Sequence, residues 1–191
     1  MNYKLLALIT ALLCSITLFN ACSSDDDTGI DEEWRKYNEE IVMNAASGGE
    51  YSSRESISKN GSVYWKYIDD FVPDTKSGPS TKITEDGRPY FTDTVSVRYT
   101  GWYLLKDGTK YEFDTTEGSN NGVPRSFTVS GVVDGFSTML QYMKVGDQVE
   151  VCIPQKLGYG ATAQTYIPAY TTLWFRIKLL KITPSNKGEW D

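Results

Sequence analysis

The chain has 191 residues, with 19 Lys and Arg against 25 Asp and Glu, a formal charge of −6 and no histidine. The missing histidine excludes a Ser-His-Asp or Cys-His pair, a histidine general base and a histidine-ligated metal site, while the acidic balance argues against a nucleic-acid partner, which needs a basic surface to meet phosphates. A composition 40% hydrophobic and 23% charged is that of an ordinary globular domain, and the length suits one domain with appendages.

Residues 1–21 carry one charge, Lys4, ahead of an apolar run over 5–19 interrupted only by Thr10, Ser15 and Thr17. At about 15 residues this run is short for a membrane-spanning helix, which needs around 20, and it fits the apolar part of an export signal. The segment ends in Asn20-Ala21-Cys22, followed by Ser23-Ser24 and the acidic run Asp25-Asp26-Asp27. A small residue and then cysteine at the end of an export signal resembles a bacterial lipoprotein cleavage site. That resemblance implies that Cys22 becomes the lipidated first residue of the mature chain and its contact with the membrane. Phe19 departs from the pattern, which usually has an aliphatic residue there; ordinary cleavage leaving Cys22 as a stray thiol is the alternative. Ser23, in place of aspartate, implies an outer-membrane destination in the cell envelope. The acidic run resembles surface-transfer signals, so the leaflet stays open. Of the three cysteines, Cys14 leaves with the signal and Cys22 carries lipid. Cys152 is then a lone thiol in an alternating strand, a small buried hydrophobe with no disulfide partner.

Residues 23–30 have no means of forming a core. Asp31 can cap a helix over 31–46, with Glu32 and Glu33 at its positive end, Trp34, Tyr37 and Ile41 at helical spacing, and Ser47-Gly48-Gly49 to end it. It reads equally as a spacer or as a cap on the main domain. From 62 the period becomes two. Strands are expected over 63–68, 94–105, 109–113, 126–129, 148–153 and 172–182, with a polar loop over 69–89 and a turn at Asp107-Gly108. Val95, Val97, Tyr99 and Tyr103 share one face, as do Leu173, Phe175, Ile177 and Leu179. Phe136, Met139, Leu140 and Met143 fall at i, i+3, i+4 and i+7, marking one short amphipathic helix. The class is α+β, an antiparallel sheet of about five strands with one short helix against a face and a helical extension at the N-terminus. The chain divides into a signal (1–21), a tether with helical extension (22–60), the main domain (61–183) and a tail (184–191).

Singly, the local motifs are weak: Tyr99-Thr100-Gly101 reads as a strand bulge, Phe113-Asp114 as a core ring beside a turn, Gly158-Tyr159-Gly160 as a tight turn. In order they form one series. Val97-Arg98-Tyr99-Thr100-Gly101, Asp107-Gly108, Phe113-Asp114, Val132-Val133-Asp134-Gly135-Phe136, Met143-Lys144-Val145-Gly146-Asp147, Leu157-Gly158-Tyr159-Gly160-Ala161, Ile167-Pro168 and Leu173-Trp174-Phe175 together resemble the FKBP-type peptidyl-prolyl cis/trans isomerases over about 61–183. The resemblance implies a five-stranded antiparallel sheet wrapped round a short helix. It also implies a prolyl pocket whose catalytic residues are Tyr99, Phe113, Asp114, Tyr159 and Phe175, with Val132, Val133, Phe136, Ile167 and Phe127 binding the substrate. Tyr159 O–H and the Val133 N–H would anchor peptide carbonyls. Asp114 would act electrostatically on the twisting amide. Proline-containing polypeptides would be the clients, with no metal and no cofactor. Several positions depart from the family pattern. Phe136 replaces the usual tryptophan floor, Arg125 stands where some members have a second phenylalanine, and Gln164 or Thr165 lies near a place often held by histidine. The Gly101–Gly108 segment is two residues longer, and the loop before Val132 is shorter.

That activity suits a histidine-free site. An X–Pro bond isomerises slowly because the amide must lose its resonance, against roughly 18–20 kcal/mol. No covalent bond breaks, so no nucleophile or proton shuttle is needed. Two other readings of the residues remain: a prolyl-peptide or small-ligand binding module with little turnover, and a surface lipoprotein that stacks exposed Trp and Tyr on sugars. The oligomeric state is left open.

Overall fold

The structure, a computed structural model of the chain, is described over residues 31–72 and 87–185. The signal, Cys22 and the tether lie outside the described residues, as do most of the expected 69–89 loop and residues 186–191 of the tail.

Helix α1 (Glu32–Ser47) begins as its sequence predicts: the Asp31 carboxylate accepts a hydrogen bond from the Trp34 N–H at 2.8 Å, satisfying one of the unpaired donors of the first turn. Seven strands follow, β1 (Ser52–Glu55), β2 (Ser62–Tyr67), β3 (Thr94–Leu104), β4 (Lys110–Thr115), β5 (Arg125–Thr128), β6 (Gln148–Ile153) and β7 (Leu173–Thr183), with α2 (Asp134–Tyr142) between β5 and β6. All pairings are antiparallel, in the order β1-β2-β6-β7-β3-β4. The first part of β3, Thr94 to Val97, takes β5 as its outer neighbour, and the part from Thr100 to Leu104 takes β4.

The α+β class holds, with a larger strand count than the expected five. Strands β4 and β5 share one edge of β3. Strand β1 is Ser-Ser-Arg-Glu, an edge strand with no apolar alternation, held by backbone pairing to β2 and therefore silent in a hydrophobicity pattern. Position 61, the expected start of the main domain, falls in the turn joining these two paired strands.

Alternation along the strands makes two apolar layers. The inner face carries Val95, Val97, Tyr99 and Tyr103 from β3 and Leu173, Phe175, Ile177 and Leu179 from β7, as the sequence predicts, and packs on α2. Phe136, Met139, Leu140 and Met143 are buried in that layer. Gly135 lets α2 approach β6: a Cβ there would stand 2.4 Å from Ile153 Cγ2. The outer face carries Trp102, Cys152 and Trp174 under Ile41 and Ala45 of α1. Cys152 is fully buried and burial raises its thiol pKa, in keeping with a structural role.

Helix α1 is therefore a packed element and not a free spacer. The Asn38 side-chain carbonyl accepts from the Thr172 N–H at 2.7 Å, and the Thr172 hydroxyl donates to the Asn38 carbonyl at 3.1 Å. Trp34 reaches past the sheet end to the inner layer, edge-on to Tyr103, and its indole N–H donates to Thr171 Oγ1 at 3.2 Å. Among the described residues no helix is long and apolar enough to cross a membrane.

Candidate functional site

The inner layer is open at one end, where β3, β4, β5, β7 and the start of α2 meet. A cavity of about 260 Å3 lies there, lined by Tyr99, Phe113, Asp114, Phe127, Gly131, Val132, Val133, Phe136, Tyr159 and Phe175. It is a little smaller than the roughly 300–1,000 Å3 clefts that hold drug-sized ligands.

The β3 and β7 walls follow from the strand period. Tyr99 and Gly101 share the inner face of β3, and Gly101 exists to let rings in: a Cβ there would stand 2.5 Å from Phe175 Cε1 and 2.8 Å from Phe113 Cζ. Phe175 stands edge-on to Phe113, with centroids 5.6 Å apart, and to Phe136, with centroids 5.0 Å apart. Tyr99 faces Phe136 at 6.1 Å and Phe127 at 5.8 Å. These separations and tilts are those in which the positive edge of one ring meets the negative face of the next, so the rings hold one another in place.

Polar groups sit only at the mouth. The Tyr99 hydroxyl donates to Asp114 Oδ2. Arg125 Nη1 donates to Tyr99 Oη at 2.9 Å and to the two Asp114 oxygens at 2.9 and 3.0 Å. Burial, then the hydrogen bond to Asp114 and its charge, push the Tyr99 phenol pKa up, with Arg125 opposing. The half-exposed Tyr159 is raised by burial and by the charge of Asp114. Both phenols therefore keep their protons at neutral pH and act as donors. Among the described residues neither the Tyr159 hydroxyl nor the Val133 N–H finds a hydrogen-bond partner within the chain, which leaves two donors at the cavity for carbonyl oxygens of a ligand. No group of three or more Cys, Asp or Glu side chains among the described residues is arranged to hold a metal ion.

Nine of the ten predicted pocket residues line this one cavity: Tyr99, Phe113, Asp114, Phe127, Val132, Val133, Phe136, Tyr159 and Phe175. Ile167 does not. It is buried in the inner core, and its backbone bridges to Gln164. Sequence reasoning passed over Gly131, which forms part of the wall, and gave no role to Arg125. The signal for Arg125 was present: it stands two residues before Phe127 in a strand, and so on the same face. The four tryptophans among the described residues, Trp34, Trp65, Trp102 and Trp174, are all buried, which takes tryptophan stacking away from the sugar-binding alternative.

Residues 86–180 match the family model for FKBP-type peptidyl-prolyl cis-trans isomerase. The chain is 38% identical over 115 residues, 58% of its length and 53% of the relative's, to the FKBP-type 22 kDa peptidyl-prolyl cis-trans isomerase of Escherichia coli. It is 31% identical over 157 residues, 81% of its length and 52% of the relative's, to the isomerase FkpA of the same organism. It is also 40% identical over 110 residues, 56% of its length and 45% of the relative's, to the outer membrane protein MIP of Legionella longbeachae. The crystal structure of Escherichia coli FkpA superposes with a TM-score of 0.59 at 26% identity, covering 80% of this chain and 61% of that one. The chain spans about half the length of the curated relatives it matches. With the sheet, the aromatic cavity and these matches in agreement, the chain belongs to the FKBP-type peptidyl-prolyl cis-trans isomerase family.

Proposed function

We propose that the chain is a peptidyl-prolyl cis-trans isomerase of the cell envelope that assists the folding of exported proteins. The observation that carries this reading is the ring of Tyr99, Phe113, Phe127, Phe136 and Phe175 round one cavity with donors at its rim. A proline ring enters the aromatic wall, and the flanking carbonyls meet Tyr159 O–H and Val133 N–H. The planar amide has a strongly polarised carbonyl and loses hydration in this dry site. The twisted amide is less polarised and loses less. The pocket thus favours the transition state over the ground state. Each about 1.4 kcal/mol of that difference yields tenfold in rate, so about 5 kcal/mol yields several thousandfold. Asp114, held by Tyr99 and Arg125, acts as a fixed charge near the twisting bond and exchanges no proton. No cofactor takes part in this scheme, and the partners are proline-containing polypeptides.

The location is part of the same reading. The apolar run over 5–19 and the Asn20-Ala21-Cys22 sequence support export and a lipid on Cys22, with the outer membrane as the destination that Ser23 favours. The folded body, joined to that lipid by the 22–30 tether, would meet polypeptides as they emerge from the export machinery.

A protease-coupled assay on a proline tetrapeptide tests the activity. Wild type accelerates isomerisation, and Tyr159→Ala loses about tenfold in kcat/KM, the worth of one hydrogen bond and its apolar contact. Turnover at the buffer rate with measurable peptide binding would instead make this a binding module. For the anchor, Cys22→Ser should move the protein from the membrane to the soluble fraction.

A further inference from the structure

The mouth of the cavity carries charge of its own. Asp114 is the one charged residue among the cavity's lining residues, and Arg125, on β5, sits beside it with a half-exposed side chain. All three hydrogen bonds of Arg125, one to Tyr99 and two to Asp114, come from Nη1. The guanidinium carries five donors. Among the described residues its Nε and Nη2 make no hydrogen bond, and its carbon stands 5.8 Å from the Tyr99 ring centroid. One nitrogen therefore neutralises the pocket carboxylate while the others remain available next to the site.

We propose that Arg125 is a specificity-determining residue, which gives the prolyl site a preference for clients with an acidic side chain next to the proline. This rests on the isomerase reading above and deepens it. Without Arg125 the mouth would hold a lone carboxylate that repels acidic peptides and attracts basic ones. With it, the Asp114–Arg125 pair is neutral and an incoming carboxylate meets free guanidinium donors, for which its two oxygens are matched in geometry. Because the pair is partly exposed, the attraction is modest. It corresponds to about two- to fivefold in kcat/KM for one such ion pair, and it weakens as salt rises.

The experiment uses the full chain and tetrapeptides that differ only in the residue adjacent to proline, Glu, Gln or Lys, assayed for turnover and, by calorimetry, for binding. The wild type is expected to favour Glu over Lys at low salt, with the ratio falling toward one at high salt. Arg125→Gln should reverse the order, Arg125→Lys should keep it, and Asp114→Asn should sharpen it. The Gln peptide reports the general health of the site. A purely structural role for Arg125 would lower all three peptides by the same factor and leave the ratio in place, and that result would overturn the inference. If Arg125→Gln does not fold, the salt dependence of the wild-type ratio decides alone, with a flat ratio counting against it. Good turnover with no charge preference removes only the role of Arg125. Absence of both turnover and binding for every peptide removes the isomerase reading and this inference with it.

Discussion

Gly101→Ala is the sharpest test of how this sheet builds its cavity. The added Cβ would lie 2.5 Å from Phe175 Cε1 and 2.8 and 2.9 Å from Phe113 Cζ and Cε2, where ordinary contact starts at 3.4 Å. Neither ring can retreat freely. Phe175 is backed by Phe136 at 5.0 Å and Tyr99 at 6.4 Å, and Phe113 by Tyr103 at 6.4 Å. Such overpacking costs about 1–3 kcal/mol, which lowers Tm by roughly 2–4 °C per kcal/mol for a chain of this size. The rings yield toward the open side, into a cavity of about 260 Å3, so kcat/KM on a prolyl peptide should fall by about tenfold or more, the effect of about 1.4 kcal/mol on the barrier. Gly108→Ala is the control. Gly108 has φ +81° and nothing within 4 Å of its would-be Cβ, so it should lose about 1 kcal/mol of stability through backbone strain while kcat/KM stays put. Scanning calorimetry and the protease-coupled assay read both. A Gly101→Ala protein with wild-type Tm and wild-type turnover would refute the account of the cavity as a set of rings admitted by a missing side chain.

Two further outcomes follow from the same packing. Trp34→Ala should cost about 3–5 kcal/mol in denaturant unfolding, the usual price of emptying a large aromatic site, because Trp34 is buried and bonded to Thr171; a loss below about 1 kcal/mol would show that α1 is only loosely attached. The carboxyl of Glu150, which burial alone would raise, is held below its ordinary value by hydrogen bonds from Arg176 and Tyr51 and by the charges of Arg176 and Lys66. Since the folded-state pKa is the lower one, this group adds stability above its ordinary value of 4.5 and loses it as pH falls through the folded value. Urea unfolding below pH 4.5 should therefore show a steeper acid decline in wild type than in Glu150→Gln, and equal slopes would assign the decline to other carboxylates.

Much of the architecture could be read from residues alone because alternation and helical spacing are local. The inner faces of β3 and β7, the apolar stripe of α2, the Asp31 cap and the Asp107-Gly108 turn each depend on neighbours a few positions away. The pocket set came from motif order. Tyr99 and Phe175 carry no mark that separates a cavity ring from a core ring, and that distinction needed the family's sequence series.

What the sequence determined by itself was the exclusion of histidine chemistry and the strand and helix pattern of the inner layer. The folded chain alone decided three matters. Strand β1 joins the sheet through backbone hydrogen bonds, which leave no trace in side-chain hydropathy. Helix α1 closes the outer face because Trp102, Cys152 and Trp174 need cover, a demand visible only once the strands are side by side. Ile167 was left off the cavity lining, and Arg125, whose face the strand period already marked, came against Asp114, because the approach of segments distant along the chain fixes which side chain meets the cavity and which charge meets Asp114.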